Sequence, residues 1–179
     1  MRRTLTLVLF TLISAPAFAA PSTYSMGLGM ESRLVKEVNP DYTNAQFAGQ
    51  LYGTVRFWPW DLSVEVTPEE KRSAASGSLS ITSQTTTLSF WGRYEFLAAD
   101  RRLMPFASLG LGMYFDRVTT KFNGESDTRG SRRGFAGVGL GLTATLWKRL
   151  QLEAEARGSS VEEREEMLFS LLLHAGVQI

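Results

Sequence analysis

The stretch MLFSLLLHAGVQI, Met167 to Ile179, decides the fold. Every second residue gives Met167, Phe169, Leu171, Leu173, Ala175, Val177 and Ile179, all apolar. The other register gives Leu168, Ser170, Leu172, His174, Gly176 and Gln178, which is mixed and partly polar. Side chains alternate across a strand, so this is a strand with one wholly apolar face. Such a face at this length suits a wall with lipid on one side and packed polar groups on the other.

The same two-faced pattern recurs along the chain. Tyr24 to Arg33 sets Tyr24, Met26, Leu28 and Met30 against Ser25, Gly27, Gly29 and Glu31. Ala45 to Trp58 sets Phe47, Leu51, Val55 and Phe57 against Gln46, Gln50, Tyr52, Thr54 and Arg56. Trp60 to Thr67 sets Leu62, Val64 and Val66 against Asp61, Ser63 and Glu65. Further alternating segments cover Leu79 to Phe96, Leu103 to Val118, Phe135 to Trp147 and Leu150 to Arg157. With the terminal one they make eight. Glu, Ala and Leu also favour helix, which leaves a helical alternative for Leu150 to Gly158 and Val161 to Leu173.

At the other end, Arg2 and Arg3, the apolar run Leu5 to Ile13 and Ala17-Phe18-Ala19 have the form of a secretory signal. Residues 1–19 are expected to be a signal peptide and 20–179 one barrel domain. Losing the two arginines takes the net charge from +1 to −1, so no strong electrostatic partner follows from net charge and nucleic acid is not expected. The chain has no cysteine, so packing or a bilayer must stabilise it. Past the signal no apolar run approaches the ~20 residues of a helical span. An exported chain of this kind is either a soluble periplasmic or secreted domain or a closed barrel in lipid. A soluble ligand-binding barrel would need polar residues on its outer face. The apolar outer faces favour an all-β, eight-stranded antiparallel up-and-down transmembrane β-barrel.

Connector lengths agree with that plan. Trp58 to Asp61, Leu97 to Arg102 and Trp147 to Arg149 are short. Val35 to Asn44, Pro68 to Ser78 and Thr119 to Gly134 are longer and polar, and are expected to be outer loops. Trp58, Trp60, Tyr94, Phe96 and Trp147 sit at or beside the short turns and predict an interface girdle on the periplasmic side. Gly27/Gly29, Gly110/Gly112 and Gly137/Gly139/Gly141 fall on the inner face, where a narrow interior is crowded.

These features together resemble the small outer-membrane β-barrel superfamily of OmpA-like and OmpX-like barrels. The segments that carry the resemblance are the signal, Pro105 to Met113, the glycine-rich Phe135 to Trp147 segment and the terminal strand. The resemblance implies residence in the bacterial outer membrane, contact with its lipids and lipopolysaccharide, and recognition of the last strand by the outer-membrane assembly machinery. Ile179 stands where such barrels usually carry an aromatic residue. A monomer is expected.

Chemistry is sparse. Glu31, Arg56, Glu65, Arg93, Glu95, Asp116, Glu153, Glu155 and Arg157 share the inner face, and mixed signs there predict a paired plug. The expected role is structural or surface-interacting: envelope integrity, adhesion or recognition through outer loops. The alternatives are a narrow channel for small solutes and a lipid A-modifying enzyme. An enzyme of the second kind would use His174, the one histidine, with Ser170, and the sequence places His174 near the periplasmic rim, away from lipid A. No catalytic residue, cofactor or metal ligand set is assigned. Lys121, Arg129, Arg132 and Arg133 offer a basic patch to lipopolysaccharide phosphates, and the run Glu162 to Glu166 an acidic one for divalent cations.

Overall fold

The computed structural model describes residues 23–36, 43–96, 102–146, 149–162 and 167–179. Residues 1–19 lie outside them, as does Trp147. Eight strands run in chain order: β1 (Thr23–Lys36), β2 (Thr43–Phe57), β3 (Trp60–Ser76), β4 (Leu79–Glu95), β5 (Leu103–Phe122), β6 (Glu125–Leu146), β7 (Leu150–Val161) and β8 (Met167–Gln178). Each pairs antiparallel with its sequence neighbour, and β8 returns to β1 to close the barrel. Tyr24 and Ile179 exchange the last backbone bonds of that seam. Closure pairs edges that lipid would otherwise leave bare.

The alternation in the sequence becomes the two faces of the wall. Leu109, Leu111 and Met113 of β5 point outward, as do Val138, Leu140 and Leu142 of β6 and Phe169, Leu171 and Leu173 of β8. Between Leu103 and Phe115 the apolar face of β5 spans about 25–30 Å of height for strands tilted by about 40°, a bilayer's hydrocarbon thickness. The segments with helical potential, Leu150 to Gly158 and the described part of Val161 to Leu173, are strand. Pairing to β6 and β1 overrides local propensity there.

Two expected loops are not loops. Pro68 to Ser78 and Thr119 to Gly134 continue β3–β4 and β5–β6 as two hairpin ribbons that rise above the apolar band and are paired through β4 and β5 into one four-stranded sheet. The physical reason lies in the turns and the threonines. Asn123 and Gly124 both have positive φ, 49° and 89°, which suits a two-residue hairpin turn whose twist matches its strands. Gly77 does the same for the β3–β4 ribbon, with φ 59°. Cross-strand hydroxyl pairs, Thr119–Thr128 at 3.1 Å and Ser73–Thr82 at 3.2 Å, line the ribbons.

Inside, missing side chains make room for large ones. A Cβ on Gly110 would run into the Trp91 indole, and one on Gly112 into the Phe135 ring. Gly110→Val is therefore expected to destabilise the barrel by about 1–3 kcal/mol in urea unfolding from lipid vesicles. Gly53→Val, where a Cβ meets nothing nearer than the Ser25 oxygen at 4.0 Å, is expected to change stability by less than about 0.5 kcal/mol. Equal losses in the two variants would contradict this packing.

Candidate functional site: the lumen charge network

The inner face of every strand contributes buried side chains to the lumen. Glu65 of β3 is its hub, with a fully buried side chain. Arg157 of β7 donates from both Nη atoms to the two Glu65 oxygens, at 2.5 and 2.6 Å. Arg93 of β4 reaches Glu65 at 3.3 Å and Gln50 of β2 donates to it at 3.0 Å. A carboxylate with this many donors is fixed in position by geometry as well as by attraction.

Arg93 is the second hub. It donates to Glu153 at 2.5 Å and lies 3.5 Å from Glu155. Glu155 also accepts from Arg157 at 2.8 Å and from the Ser108 hydroxyl. Three carboxylates thus share two guanidinium groups, all on β3, β4 and β7 and all buried. Aromatic faces take up the remaining surface: Arg157 lies 3.7 Å from the centre of the Trp91 ring, and Arg93 5.0 Å from that of Phe106. Paired and desolvated in this way, the charges avoid the cost of several kcal/mol each that isolation would carry.

Smaller clusters stand along the lumen. Toward the turn at Trp58, Arg56 binds Asp61 through two bonds of 3.0 Å and approaches Glu95 at 2.8 Å. On the other side of the hub, Arg33 pairs with Glu31 at 2.7 Å. Trp91, Tyr114, Phe135 and Val161 form an apolar cluster there, with Leu168 against it. Above them Asp116 accepts from Arg133 at 2.5 Å and from Thr85 at 2.7 Å.

All nine charged residues read from the sequence as lumen-facing lie on the inner face. Glu65, Arg93, Glu153, Glu155 and Arg157 form the central network, Arg56 and Glu95 a lower cluster, and Glu31 and Asp116 separate upper pairs. Sequence reasoning leaves out Arg33 and Asp61. Both share the period-2 register of residues it does select, so the signal is present. Of the girdle residues, Trp60 meets Tyr94 edge-on at 5.0 Å, and Tyr94 meets Phe96 at 5.6 Å. Trp58 is exposed at the adjoining turn.

His174 is not at the rim. Its partners across the strands are Gly29 and Glu153, and it is 3% exposed. Its Nε2 faces Gln50 Oε1 at 2.7 Å and its Nδ1 faces Glu153 at 3.4 Å, while its ring stacks on Tyr52 at 4.5 Å. The five residues after it span about 12 Å of barrel height at a strand tilt near 40°, which lifts it into the central layer. Ser170 is four residues away along the same strand, about 13 Å, beyond hydrogen-bond reach of the imidazole. Among the described residues no group of three or more His, Cys, Asp or Glu is placed to hold a metal ion.

This fold and interior define a class, a closed eight-stranded barrel with an apolar exterior and a charged, packed core. The chain belongs to the outer membrane protein β-barrel domain family, whose model matches residues 5–171. It therefore resides in the bacterial outer membrane. Solved structures agree on the fold. The attachment invasion locus protein Ail of Yersinia pestis is 12% identical, with 88% of this chain and 97% of that one covered and a TM-score of 0.58. Neisserial surface protein A is 16% identical over 88% and 96%, at 0.58. A major outer membrane protein of Thermus thermophilus is 12% identical over 87% and 99%, at 0.62. No curated protein sequence matches.

Arg93→Leu would leave Glu153 and Glu155 short of a counter-charge and is expected to cost about 3–5 kcal/mol in urea unfolding. Pairing it with Glu153→Leu is expected to recover at least about 1 kcal/mol of that loss. Strict additivity of the two substitutions would show that the pair is not coupled.

Proposed function

We propose that this protein is a sealed, non-catalytic barrel that acts through its outer surface: it presents the β3–β4 and β5–β6 ribbons for recognition while its interior stays closed to solutes. The observation that carries this reading is the network of Glu65, Arg93, Glu153, Glu155 and Arg157, which crosses the lumen between β3, β4 and β7 and has the Trp91 cluster beside it. An eight-stranded interior is about wide enough for side chains alone. A conducting path would require these charges to separate in a low-dielectric surround.

The ribbons supply what a recognition surface needs. Arg117, Lys121, Arg129 and Arg132 are exposed on the β5–β6 ribbon, and only Arg129 is in an ion pair among the described residues, with Asp127 at 3.0 Å. Exposed guanidinium groups at the outer rim suit the phosphates of lipopolysaccharide or an acidic polymer at the cell surface. Ail has been solved in complex with the heparin analogue sucrose octasulfate. That polyanion belongs to Ail, yet it supports an anionic target for a ribbon of this charge. The Ser–His chemistry has no support in the geometry, with Ser170 four residues from His174 along one strand, and Glu153 and Glu155 are both tied to Arg93. Residues 1–19 are read as the export signal, so a mature protein beginning at Ala20 is the expected mass.

Purified protein in planar bilayers is expected to give no reproducible unitary currents, and steady single-channel steps would overturn the sealed reading. Replacing Arg117, Lys121 and Arg132 together by Gln is expected to weaken binding to lipopolysaccharide and flatten its salt dependence, measured by titration over a range of ionic strength. Unchanged binding would remove the ribbon from the recognition surface.

A further inference from the structure

The barrel wall is not paired over its full height. β2 and β3 are joined from Phe57↔Trp60 up to Leu51↔Val66, and their pairing stops there. Both strands continue upward, β2 to Thr43 and β3 to Ser76, each paired only with its other neighbour. The parting starts within the apolar band. Above Leu51 on the outer face Phe47 is still 64% exposed, and beside it Met30 of β1 is 47% exposed. Residues 47–50 open about 10 Å of barrel height at a tilt near 40°, in the half of the band that faces the outer leaflet.

The cause is in the sequence. Pro68 follows the last paired stretch of β3, and a proline cannot donate to a ladder. The β3–β4 register shifts between Thr67 and Glu70, a bulge that bends β3 away from β2. The parted strands leave a notch of about 520 Å³ lined by Leu28, Phe47, Gly49, Leu51, Pro68 and Glu69 among others. Its lining also includes the inward-facing Ala48 and Gln50, so it cuts into the wall. A Cβ built on Gly49 meets nothing within 4 Å. Next to Pro68, the buried Thr67 hydroxyl has no hydrogen-bond partner.

An open strand edge inside hydrocarbon costs several kcal/mol for each unpaired polar group. Aliphatic lining alone would not settle that cost, and water does not reach the site from the lipid side. An occupant with a hydrocarbon chain and a hydrogen-bonding linkage near its head would satisfy both halves of the notch. Outer-leaflet lipids have that build and are at the matching depth. We propose that the β2–β3 notch is a lateral binding site for one acyl chain of an outer-leaflet membrane lipid, with the ester, amide or hydroxyl at the head of the chain meeting the open strand edges and Glu69 marking the polar end.

The test uses the full chain in nanodiscs of phosphatidylethanolamine and phosphatidylglycerol, doped with a phosphatidylethanolamine that carries a diazirine in mid-chain. After illumination, peptide mapping is expected to find cross-links concentrated on residues 47–51 and 66–69. Gly49→Trp fills the notch and is expected to bring that labelling down to the level of the surrounding wall. Gly53→Trp, on the paired part of the same strand, is expected to leave it intact. A heat-modifiability gel confirms folding of each variant, with Gly49→Leu in reserve should the tryptophan prevent it. Labelling spread evenly around the apolar band, or unchanged by filling the notch, would overturn the proposal. Loss of labelling on adding free octanoate to the aqueous phase would assign the notch to a free amphiphile and overturn the membrane-lipid occupant.

Discussion

The structure depends on one constraint: a backbone in hydrocarbon must satisfy its own hydrogen bonds. Helices meet it within one segment, and among the described residues no helix is long and apolar enough to do so. Strands meet it only by closing, and β8 closes on β1. Closure at eight strands fixes the diameter, and the diameter fixes what the interior can hold. Side chains that alternate inward must then fill a narrow tube without voids or lone charges. Glycines opposite Trp91 and Phe135, and carboxylates opposite Arg93 and Arg157, are two answers to that one demand.

Those answers are distributed by height. The lower and central lumen is ionic, and the arginines at its centre are flanked by the aromatic faces of Phe106 and Trp91. The part of the lumen around Tyr114, Phe135 and Val161 is apolar. Above the band the chain no longer needs to satisfy lipid, so the β3–β4 and β5–β6 ribbons continue as one four-stranded sheet, paired through β4 and β5 and ended by their turns. Pro68 stands where these two regimes meet. It ends the shared wall of β2 and β3 before the hydrocarbon has ended, and that mismatch creates the notch.

Much of this is legible in the sequence because a strand's period is two. Leu109 and Gly110 point to opposite faces for the same reason that they alternate in hydropathy. Strand number, inner-face charges and the direction of Trp60 and Tyr94 follow from that period alone. Partners across the tube do not. Arg93 and Glu153 are sixty residues apart on strands that do not touch, and they meet only because the stagger of the whole barrel brings them level. The height of His174 escapes a sequence reading for the same reason, since tilt and stagger are properties of the closed sheet. The ribbons escape it because polar composition resembles loop, although Asn123-Gly124 is a strong hairpin signal. Pro68 likewise has the look of a loop residue, and only the paired sheet shows it as the point where two strands part.

The water-excluding charge core is the central claim, and side-chain proton exchange reads it most directly. NMR of the arginine guanidinium groups, in protein reconstituted in lipid nanodiscs, would follow the Nη protons of Arg93 and Arg157. A closed core predicts individually resolved Nη signals that exchange slowly with water and show contacts to Glu65 and Glu153. Averaged signals in fast exchange with solvent at both arginines would contradict it.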